Sequence, residues 1–552
     1  MLSRRLSLGL AIPTLLVLLA YVLYPSLRVF IMGLGTEQIG EVFSSWRSAN
    51  VRALINSVSI ALYSVLGAGV LGTGLAFLFY RVAVPMRRFL MALAVMPLAL
   101  PPLVGVLAFL FLYGESGILP RGLQLLFGLD EVPFAFDGLW AVWLVHVYTM
   151  YVYFYLFVTA ALRNIDRSLL EASAGMGASG WTTFYRVILP LLRPALISAA
   201  LLVFMISMAS FTAPLLFAGT EQFMTLQIYN YKTNGNLELS ATVSTLLTFI
   251  CLIFLLMLEA SGWRQQGGRA TKGSTPPPRP IRSTGLRIAA FAGAIGLVVF
   301  LLLPVLTIVL ISFAEEGSWT YQLLPERYTV YNYIALFADP DVLAPILNSL
   351  QMATLATAAN VVFGLVAALY ITKGHGIGRN VARVLAVLPF AIPGTVIAVN
   401  LIVTFNTPSP LTAGQVLVGT FWMVPLAYFI RHIPLVVRAT MAALENFDDH
   451  LAEASSDLGA TFWRTFSRVV LPIIGPGVLA GTLLTFVTAL GEFVSSIMLY
   501  IVDNRPISVE ILAQLRLYNF GSAAAYSVLL MGLIAVATVA VRRISGGSAT
   551  AV

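Results

Sequence analysis

Two stretches of the chain follow the same pattern. The first reads Glu171-Ala172-Ser173-Ala174-Gly175-Met176-Gly177, then nine residues, then Val187-Ile188-Leu189-Pro190. The second reads Glu453-Ala454-Ser455-Ser456-Asp457-Leu458-Gly459, then nine residues, then Val469-Val470-Leu471-Pro472, so that matched positions have a constant displacement of 282. Each can form a short helix that ends at its glycine, the residue that best tolerates a left-handed turn. In both copies the Leu-Pro pair precedes an apolar run, so the repetition predicts two matching halves.

Composition places most of the chain in a membrane. Of its 552 residues, 59% are hydrophobic and 10% are charged, and the mean hydropathy is +0.90. Soluble proteins have about 25% charged residues, so this chain lacks the charge for a water-facing surface. Strands of a membrane barrel alternate apolar and polar residues, whereas the apolar runs here are unbroken. The sequence therefore predicts an all-α integral membrane protein.

Twelve membrane spans are predicted, six in each half. A span needs about 20 mostly apolar residues. The spans cover roughly residues 8–32, 54–80, 90–113, 139–161, 195–218, 240–258, 288–313, 346–372, 381–405, 415–431, 478–500 and 524–543. The first resembles a signal peptide, but its apolar stretch exceeds the usual 7–15 residues of such a core, so a retained helix is expected.

The basic residues predict the orientation. With the amino terminus inside and the spans alternating, 24 of the 32 basic residues, Arg431 among them, fall on the inner side, and 16 of the 24 acidic residues fall outside. Lys and Arg accumulate in cytoplasmic segments, so both termini are predicted to be cytoplasmic. The net charge of +8 then faces the inner leaflet, and no nucleic-acid partner is expected.

A polar segment separates the halves. Residues 1–258 are predicted as the first repeat, 259–287 as a cytoplasmic linker and 288–552 as the second repeat. The linker is rich in Gly, Pro, Ser and Arg, which is typical of a solvated tether, although its basic residues could also bind anionic lipid. Because six is even, the two repeats share one orientation, which makes them parallel repeats.

Prolines interrupt a corresponding span in each half. Residues 95–101 (VMPLALP) match residues 387–393 (VLPFAIP) at a displacement of 292. Proline removes a helical hydrogen bond, so both spans are expected to bend or break there. The bends could shape a translocation cavity or could be structural kinks alone.

The paired pattern resembles the EAA loop of permease subunits of binding-protein-dependent ABC importers, E-A-A-x3-G-x9-I-x-L-P. Both copies have Ser for the second Ala and Val for Ile. The resemblance implies the type I ABC importer permease fold, with a coupling helix on each loop that docks on an ATPase. We name residues of about 163–193 the first loop and of about 438–476 the second loop. The matching positions are Glu171, Ala172, Ser173, Gly177, Leu189 and Pro190, and Glu453, Ala454, Ser455, Gly459, Leu471 and Pro472.

The resemblance also implies partners. A phosphate-binding loop needs G-x4-G-K followed by Ser or Thr, and the nearest stretch, residues 268–274, lacks that lysine. The chain is therefore expected not to be an enzyme and to bind no cofactor. Implied instead are two copies of a cytoplasmic ABC ATPase that bind ATP and Mg²⁺, a periplasmic or lipid-anchored solute-binding protein, and surrounding lipid in a bacterial or archaeal plasma (inner) membrane.

The resemblance is closest to ferric-iron permeases and more distant to thiamine permeases. Residues 491–493 (GEF) and 521–527 (GSAAAYS) carry it in the second half. Polyamine and phosphonate permeases remain alternatives. A secondary transporter built from two parallel repeats is the rival of another class, and the paired loops disfavour it.

Glu492, with Ser210 at the equivalent position of the first half, is the candidate for the solute pathway. An ionisable residue inside a span is costly and usually faces protein or water. Glu492 could favour a cationic solute near the outer gate, or it could pair with a neighbouring helix or reach the interface. His146, alone among tyrosines, is expected to be a packing residue, and no set of metal ligands is expected.

Overall fold

The protein is built from helices. The computed structural model describes residues 4–81, 84, 86–265, 283–319 and 322–544. Within these ranges the only extended pairing is an isolated bridge between Ala314 and Tyr328. The predicted all-α architecture is confirmed. The predicted linker falls largely on residues 266–282, which lie outside the described residues, and the predicted domain boundaries stay predictions.

Fourteen helices precede the linker and twelve follow it in the described ranges. The first set is α1 (Arg4–Val17), α2 (Tyr24–Gly33), α3 (Thr36–Val42), α4 (Ala49–Arg81), α5 (Arg87–Leu93), α6 (Pro102–Tyr113), α7 (Ile118–Phe127), α8 (Gly138–Arg163), α9 (Arg167–Gly175), α10 (Gly180–Thr183), α11 (Leu189–Met208), α12 (Thr212–Phe217), α13 (Met224–Thr233) and α14 (Leu237–Gln265). The second set is α15 (Thr284–Ile311), α16 (Tyr331–Ala338), α17 (Pro340–Lys373), α18 (Gly378–Ala391), α19 (Gly394–Phe405), α20 (Met423–Glu445), α21 (Asp449–Asp457), α22 (Phe462–Thr465), α23 (Leu471–Leu490), α24 (Val494–Leu499), α25 (Ile507–Arg516) and α26 (Phe520–Ile544).

Ten helices of the described chain are long and apolar enough to cross a membrane, or eleven if the bent pair α18–α19 is one span. The structure differs from the prediction at the tenth span, 415–431. There the helix is α20, which begins at Met423, ends at Glu445 and contains Arg431 and Arg438. These charges lower its apolar character, although its 23 residues extend about 34 Å. Arg431, which the prediction placed on the inner side, therefore lies within a helix that packs against α17 and α23.

Each half contains two broken spans. A short 3-10 segment and Pro101 separate α5 from α6, and α18 meets α19 at 112° around Ile392 and Pro393. These are the proline positions, so the predicted bends are confirmed. Two more breaks were not predicted because no proline marks them: α11 ends at Met208 before α12, and α23 ends at Leu490 before α24.

The repeat is visible in the helix bounds. The bounds of α9, α10, α11 and α12 reappear in α21, α22, α23 and α24 at the constant displacement of 282. A π-helical turn precedes α11 at Phe184–Ile188 and recurs before α23 at Phe466–Val470. The two halves therefore place their loops and their broken spans in the same local geometry.

The first span of each half packs on the other half. The helices α1 and α2 contact α17 and α19, while α15 contacts α6. Tyr21 Oη donates to the Leu411 carbonyl at 2.9 Å, and Tyr148 Oη donates to the Leu301 carbonyl at 2.6 Å. The halves are interlocked through these exchanged helices.

Candidate functional site: two loops and a central cluster of helix breaks

Each loop is a pair of short helices whose first helix has a capped start. Asp166 accepts a hydrogen bond from the Ser168 N–H at 2.9 Å before α9, and Asp448 accepts one from the His450 N–H at 3.0 Å before α21. Such side-chain caps satisfy amide groups that the first turn of a helix leaves unpaired. The start of both loops is thereby fixed in the same way.

The turn that ends the first helix requires glycine. Gly177 has φ +76° and Gly459 has φ +81°. The following residue closes each turn, since the Ala178 N–H donates to the Ser173 carbonyl and the Ala460 N–H to the Ser455 carbonyl, both at 3.1 Å. This bond belongs to the left-handed end of a helix. A Cβ at either glycine would meet no atom within 4 Å, so the backbone conformation, and not space, selects glycine.

A pair of hydroxyl groups joins the two helices of each loop. Ser173 Oγ lies 2.9 Å from Thr183 Oγ1, and Ser455 Oγ lies 2.9 Å from Thr465 Oγ1. The serines occupy one of the two positions where both copies depart from the EAA pattern. The sequence analysis missed this contact, although the same Ser and Thr at the same spacing in both copies were a visible signal.

The two loop glutamates lie at the protein surface. Glu171 accepts a hydrogen bond from Arg167 Nε at 2.5 Å, and Glu453 Oε2 lies 3.3 Å from His450 Nδ1. Both contacts stay within one exposed helix, so each carboxylate is accessible to a partner. Ala172 and Ala454 are also exposed on these helices.

The end of each loop continues directly into a broken span. Leu189 and Pro190 begin α11, and Leu471 and Pro472 begin α23. The π-helical turns Phe184–Ile188 and Phe466–Val470 join each loop to its proline, so the helix is continuous from the loop into the span. Each loop therefore leads into a long helix, and that helix ends at one of the breaks.

Large apolar side chains project from both loops. Trp181 has 70% of its surface exposed and Trp463 has 65%. Two further exposed residues of each loop also match at the displacement of 282. We name these three residues of each loop the docking set. Its members are Leu169, Met176 and Trp181, and Leu451, Leu458 and Trp463. Exposed apolar patches of this kind mark protein or membrane contacts.

At the far ends of α11 and α23, the helix breaks of the two halves meet. A Cβ on Gly491 would lie 3.2 Å from the Cβ of Pro101. The equivalent residues Phe211 and Phe493 have ring centroids 6.1 Å apart, and both are buried. One residue from each half therefore forms an aromatic contact between the halves.

The break between α18 and α19 lies against the break that follows α23. A Cβ on Gly394 would lie 3.2 Å from the Cβ of Val494, and Ser495 Oγ donates to the Gly394 carbonyl at 3.5 Å. We name the residues at the four breaks, 100–102, 209–212, 392–394 and 491–494, the break cluster.

Glu492 lies in the break cluster and is engaged on both oxygens. One lies 2.8 Å from Arg431 Nε in an ion pair, and the other accepts a hydrogen bond from the Ser495 N–H at 3.0 Å. The side chain is 7% exposed. Of the two alternatives for Glu492, pairing with a neighbouring helix is the one seen in this structure. Its role in transport stays a prediction.

Ser210 occupies the equivalent position beside His146. Ser210 Oγ lies 2.8 Å from His146 Nε2, while Nδ1 lies within 3.2 Å of the hydroxyls of Ser207 and Ser64. His146 is therefore a buried packing residue with its polar atoms paired. In the described ranges, no group of three or more His, Cys, Asp or Glu side chains could hold a metal ion.

Comparison with known proteins gives the same assignment to both halves. The family described as "Binding-protein-dependent transport system inner membrane component" matches residues 68–262 and again residues 360–547. The first match covers most of the predicted first repeat and the first four residues of the predicted linker, the second lies in the predicted second repeat, and together they cover more than half of the chain.

Curated relatives align over most of the length. A probable ABC transporter permease of Sinorhizobium fredii is 32% identical over 84% of this chain and 82% of its own. A ferric transport system permease of Actinobacillus pleuropneumoniae is 27% identical over 96% of this chain and 77% of its own. A sulfate permease of Escherichia coli is 32% identical over 35% of this chain and 73% of its own. The chain belongs to the family of inner membrane components of binding-protein-dependent ABC transport systems.

Proposed function

We propose that this permease carries ferric iron into the cell. A periplasmic or lipid-anchored binding protein delivers the ion, and two copies of a cytoplasmic ATPase hydrolyse ATP to drive its passage. The observation that supports this solute is the ferric transport permease that aligns with 96% of the chain. The partial alignment with a sulfate permease favours an oxyanion as the second candidate.

The loops transmit the movement of the ATPases to the pathway. The docking set of each loop binds one ATPase, and the caps and glycine turns keep the loop rigid. The helices α11 and α23 each have 20 residues, about 30 Å, and connect a loop at one end to the break cluster at the other. Movement of a loop therefore shifts Phe211 or Phe493, and their separation opens the pathway between the halves in an alternating-access cycle.

Removing both tryptophans of the docking set is expected to release the ATPases. The variant Trp181→Ala with Trp463→Ala deletes two exposed aromatic anchors, each worth at least about 2 kcal/mol at an interface centre. Because about 1.4 kcal/mol is a tenfold change in affinity, ATPase binding to the purified permease should weaken by tenfold or more. The matched control is Trp46→Ala, a tryptophan that is 86% exposed on the predicted outer side. Equal ATPase affinity in the double variant and the control would contradict the docking role.

The energy source separates this proposal from a secondary transporter. Cells that express the permease with its partners should stop radioactive ferric-ion uptake when ATP is depleted, and should continue it when an uncoupler collapses the proton gradient but ATP is maintained. The reverse result would assign the chain to ion-coupled transport. Competition by unlabelled thiamine, polyamine, phosphonate or sulfate tests the alternative solutes in the same assay.

A further inference from the structure

The two halves differ in charge at the break cluster. Arg431 and Glu492 form an ion pair between α20 and the break after α23. At the displacement of 282, the first half has Thr149 and Ser210 at these positions. The first half therefore has a neutral pair where the second half has a buried carboxylate and its partner.

Arg431 is the more accessible member of the ion pair. The Glu492 side chain is 7% exposed, against 29% for Arg431, and its two oxygens contact Arg431 Nε and the Ser495 N–H, so a cation would reach the carboxylate less easily than an anion would reach the guanidinium. The guanidinium approaches the carboxylate through Nε. In the described part of the chain neither terminal nitrogen has a hydrogen-bond partner, and the side chain is 29% exposed. The available group in the break cluster is thus a donor fork with positive charge.

The surroundings of the guanidinium favour an anion. It lies against Gly394, where a Cβ would collide with it. Gly394 is the first residue of α19, a helix of 12 residues, and the amino-terminal end of a helix carries partial positive charge. Arg431 and the start of α19 therefore present positive charge at the same place.

Three buried polar atoms of α19 and α20 have no hydrogen-bond partner among the described residues. They are Thr395 Oγ1, His432 Nδ1 and Asn400 Oδ1. Thr395 and His432 directly follow Gly394 and Arg431 in the chain, and Asn400 lies on the same helix as Thr395. Such atoms are usually satisfied by water or a bound group.

The first half has apolar residues at all three of these positions. The displacements of 292 and 282 give Leu103, Met150 and Ala108 as the equivalents of Thr395, His432 and Asn400. These three polar side chains therefore have no polar counterpart in the first half, and the same is true of the two charges of the ion pair.

We propose that Arg431 is a solute-recognition residue of the pathway, which binds an oxyanion group through its two terminal nitrogens. A planar guanidinium matches the two oxygens of a carboxylate, sulfate or phosphonate. Glu492 is a positioning residue that holds the guanidinium at the start of α19. The oxyanion is either the solute itself or a ligand that accompanies a ferric ion. The proposal rests on the permease function and not on the identity of the solute.

The decisive variant is Arg431→Thr with Glu492→Ser, which gives the second half the pair that the first half already has. It removes both charges together, so no buried charge is left without its partner. If the ion pair only supported the fold, this variant would bind solute like the unaltered protein. We expect it to assemble with its ATPases and to lose oxyanion binding by tenfold or more.

Binding is measured on the purified complex of permease and ATPases. Sulfate, citrate and methylphosphonate are added separately, with chloride as the reference, and the thermal midpoint is followed as a function of concentration. At least one oxyanion should raise the midpoint of the unaltered complex, and the double variant should need a tenfold higher concentration. No stabilisation of the unaltered complex by any of the three, or equal stabilisation of the variant, would overturn the proposal.

Single variants separate the roles of the two side chains. Arg431→Lys keeps the charge but loses the fork, so it should bind more weakly than the unaltered protein and more tightly than Arg431→Gln. Glu492→Gln can still accept from Arg431 and should weaken binding less than Arg431→Gln. The opposite ranking, with Glu492→Gln the most damaging to oxyanion binding, would contradict the assignment of recognition to Arg431.

Uptake into liposomes by the complete complex, binding protein included, distinguishes the two sources of the oxyanion. Radioactive ferric ion is supplied with and without citrate, and radioactive sulfate is supplied without iron. Iron uptake that requires citrate identifies an accompanying ligand, and sulfate uptake identifies the oxyanion as the solute. Failure of iron uptake by the unaltered protein would remove the ferric proposal, while the binding measurement still decides the role of Arg431.

Discussion

The variant Gly177→Val with Gly459→Val is expected to uncouple ATP hydrolysis from transport. Both glycines have φ near +80°, a conformation that costs other residues about 1–2 kcal/mol and that β-branched residues adopt least. The turn after α9 and α21 must therefore rearrange, and the docking set of each loop loses its shape. The number of solute molecules transported per ATP hydrolysed, measured in liposomes, should fall by tenfold or more.

A glycine two residues earlier provides the matched control. Gly175 is helical, its Cβ position is open, and the second half has Asp457 in its place. The variant Gly175→Asp should therefore couple normally. A double valine variant that binds its ATPases and couples like this control would show that the turns do not transmit movement.

Joining Phe211 to Phe493 is expected to stop transport reversibly. Their rings are 6.1 Å apart between the halves, so cysteines at both positions should be linked by a short bifunctional methanethiosulfonate reagent. If the two residues must separate to open the pathway, the linked protein should lose nearly all uptake and regain it on reduction.

The cysteine content of the chain makes this measurement specific. Cys251 is the only cysteine and is buried on α14, so a Cys251→Ala background leaves only the introduced thiols. The controls are the two single-cysteine variants treated with the same reagent. Each should take up solute at the same rate with and without the reagent. Uptake by the linked protein at the rate of these controls would exclude separation of the aromatic pair as the opening step.

The loops could be predicted because the determinants of their shape are local. In the first loop a capping Asp, a short helix, a glycine and a Leu-Pro pair all lie between Asp166 and Pro190, and the repeat presents them twice. The proline breaks were predicted for the same reason, since each follows from residues in the span itself.

The break cluster could not be predicted, because it depends on how distant helices cross. Phe211 and Phe493 belong to different halves of the chain, and their contact exists only once the two halves have packed. The position of Arg431 inside the helix bundle could not be predicted for the same reason. From hydropathy alone, an arginine is expected at the end of a span. In the structure, the charge of Arg431 is compensated inside the helix bundle by the carboxylate of Glu492, which lies just beyond the end of α23.

The exchanged first helices have a consequence for biosynthesis. α1 and α2 cover surface on α17 and α19, and α2 ends at Gly33 whereas α17 begins only at Pro340. At about 5–20 residues per second, the newly made amino-terminal helix waits on the order of 15 to 60 s before its packing surface begins to be made. During that interval its future interface faces lipid or an insertion factor, so the first half becomes fully packed only after part of the second has entered the membrane.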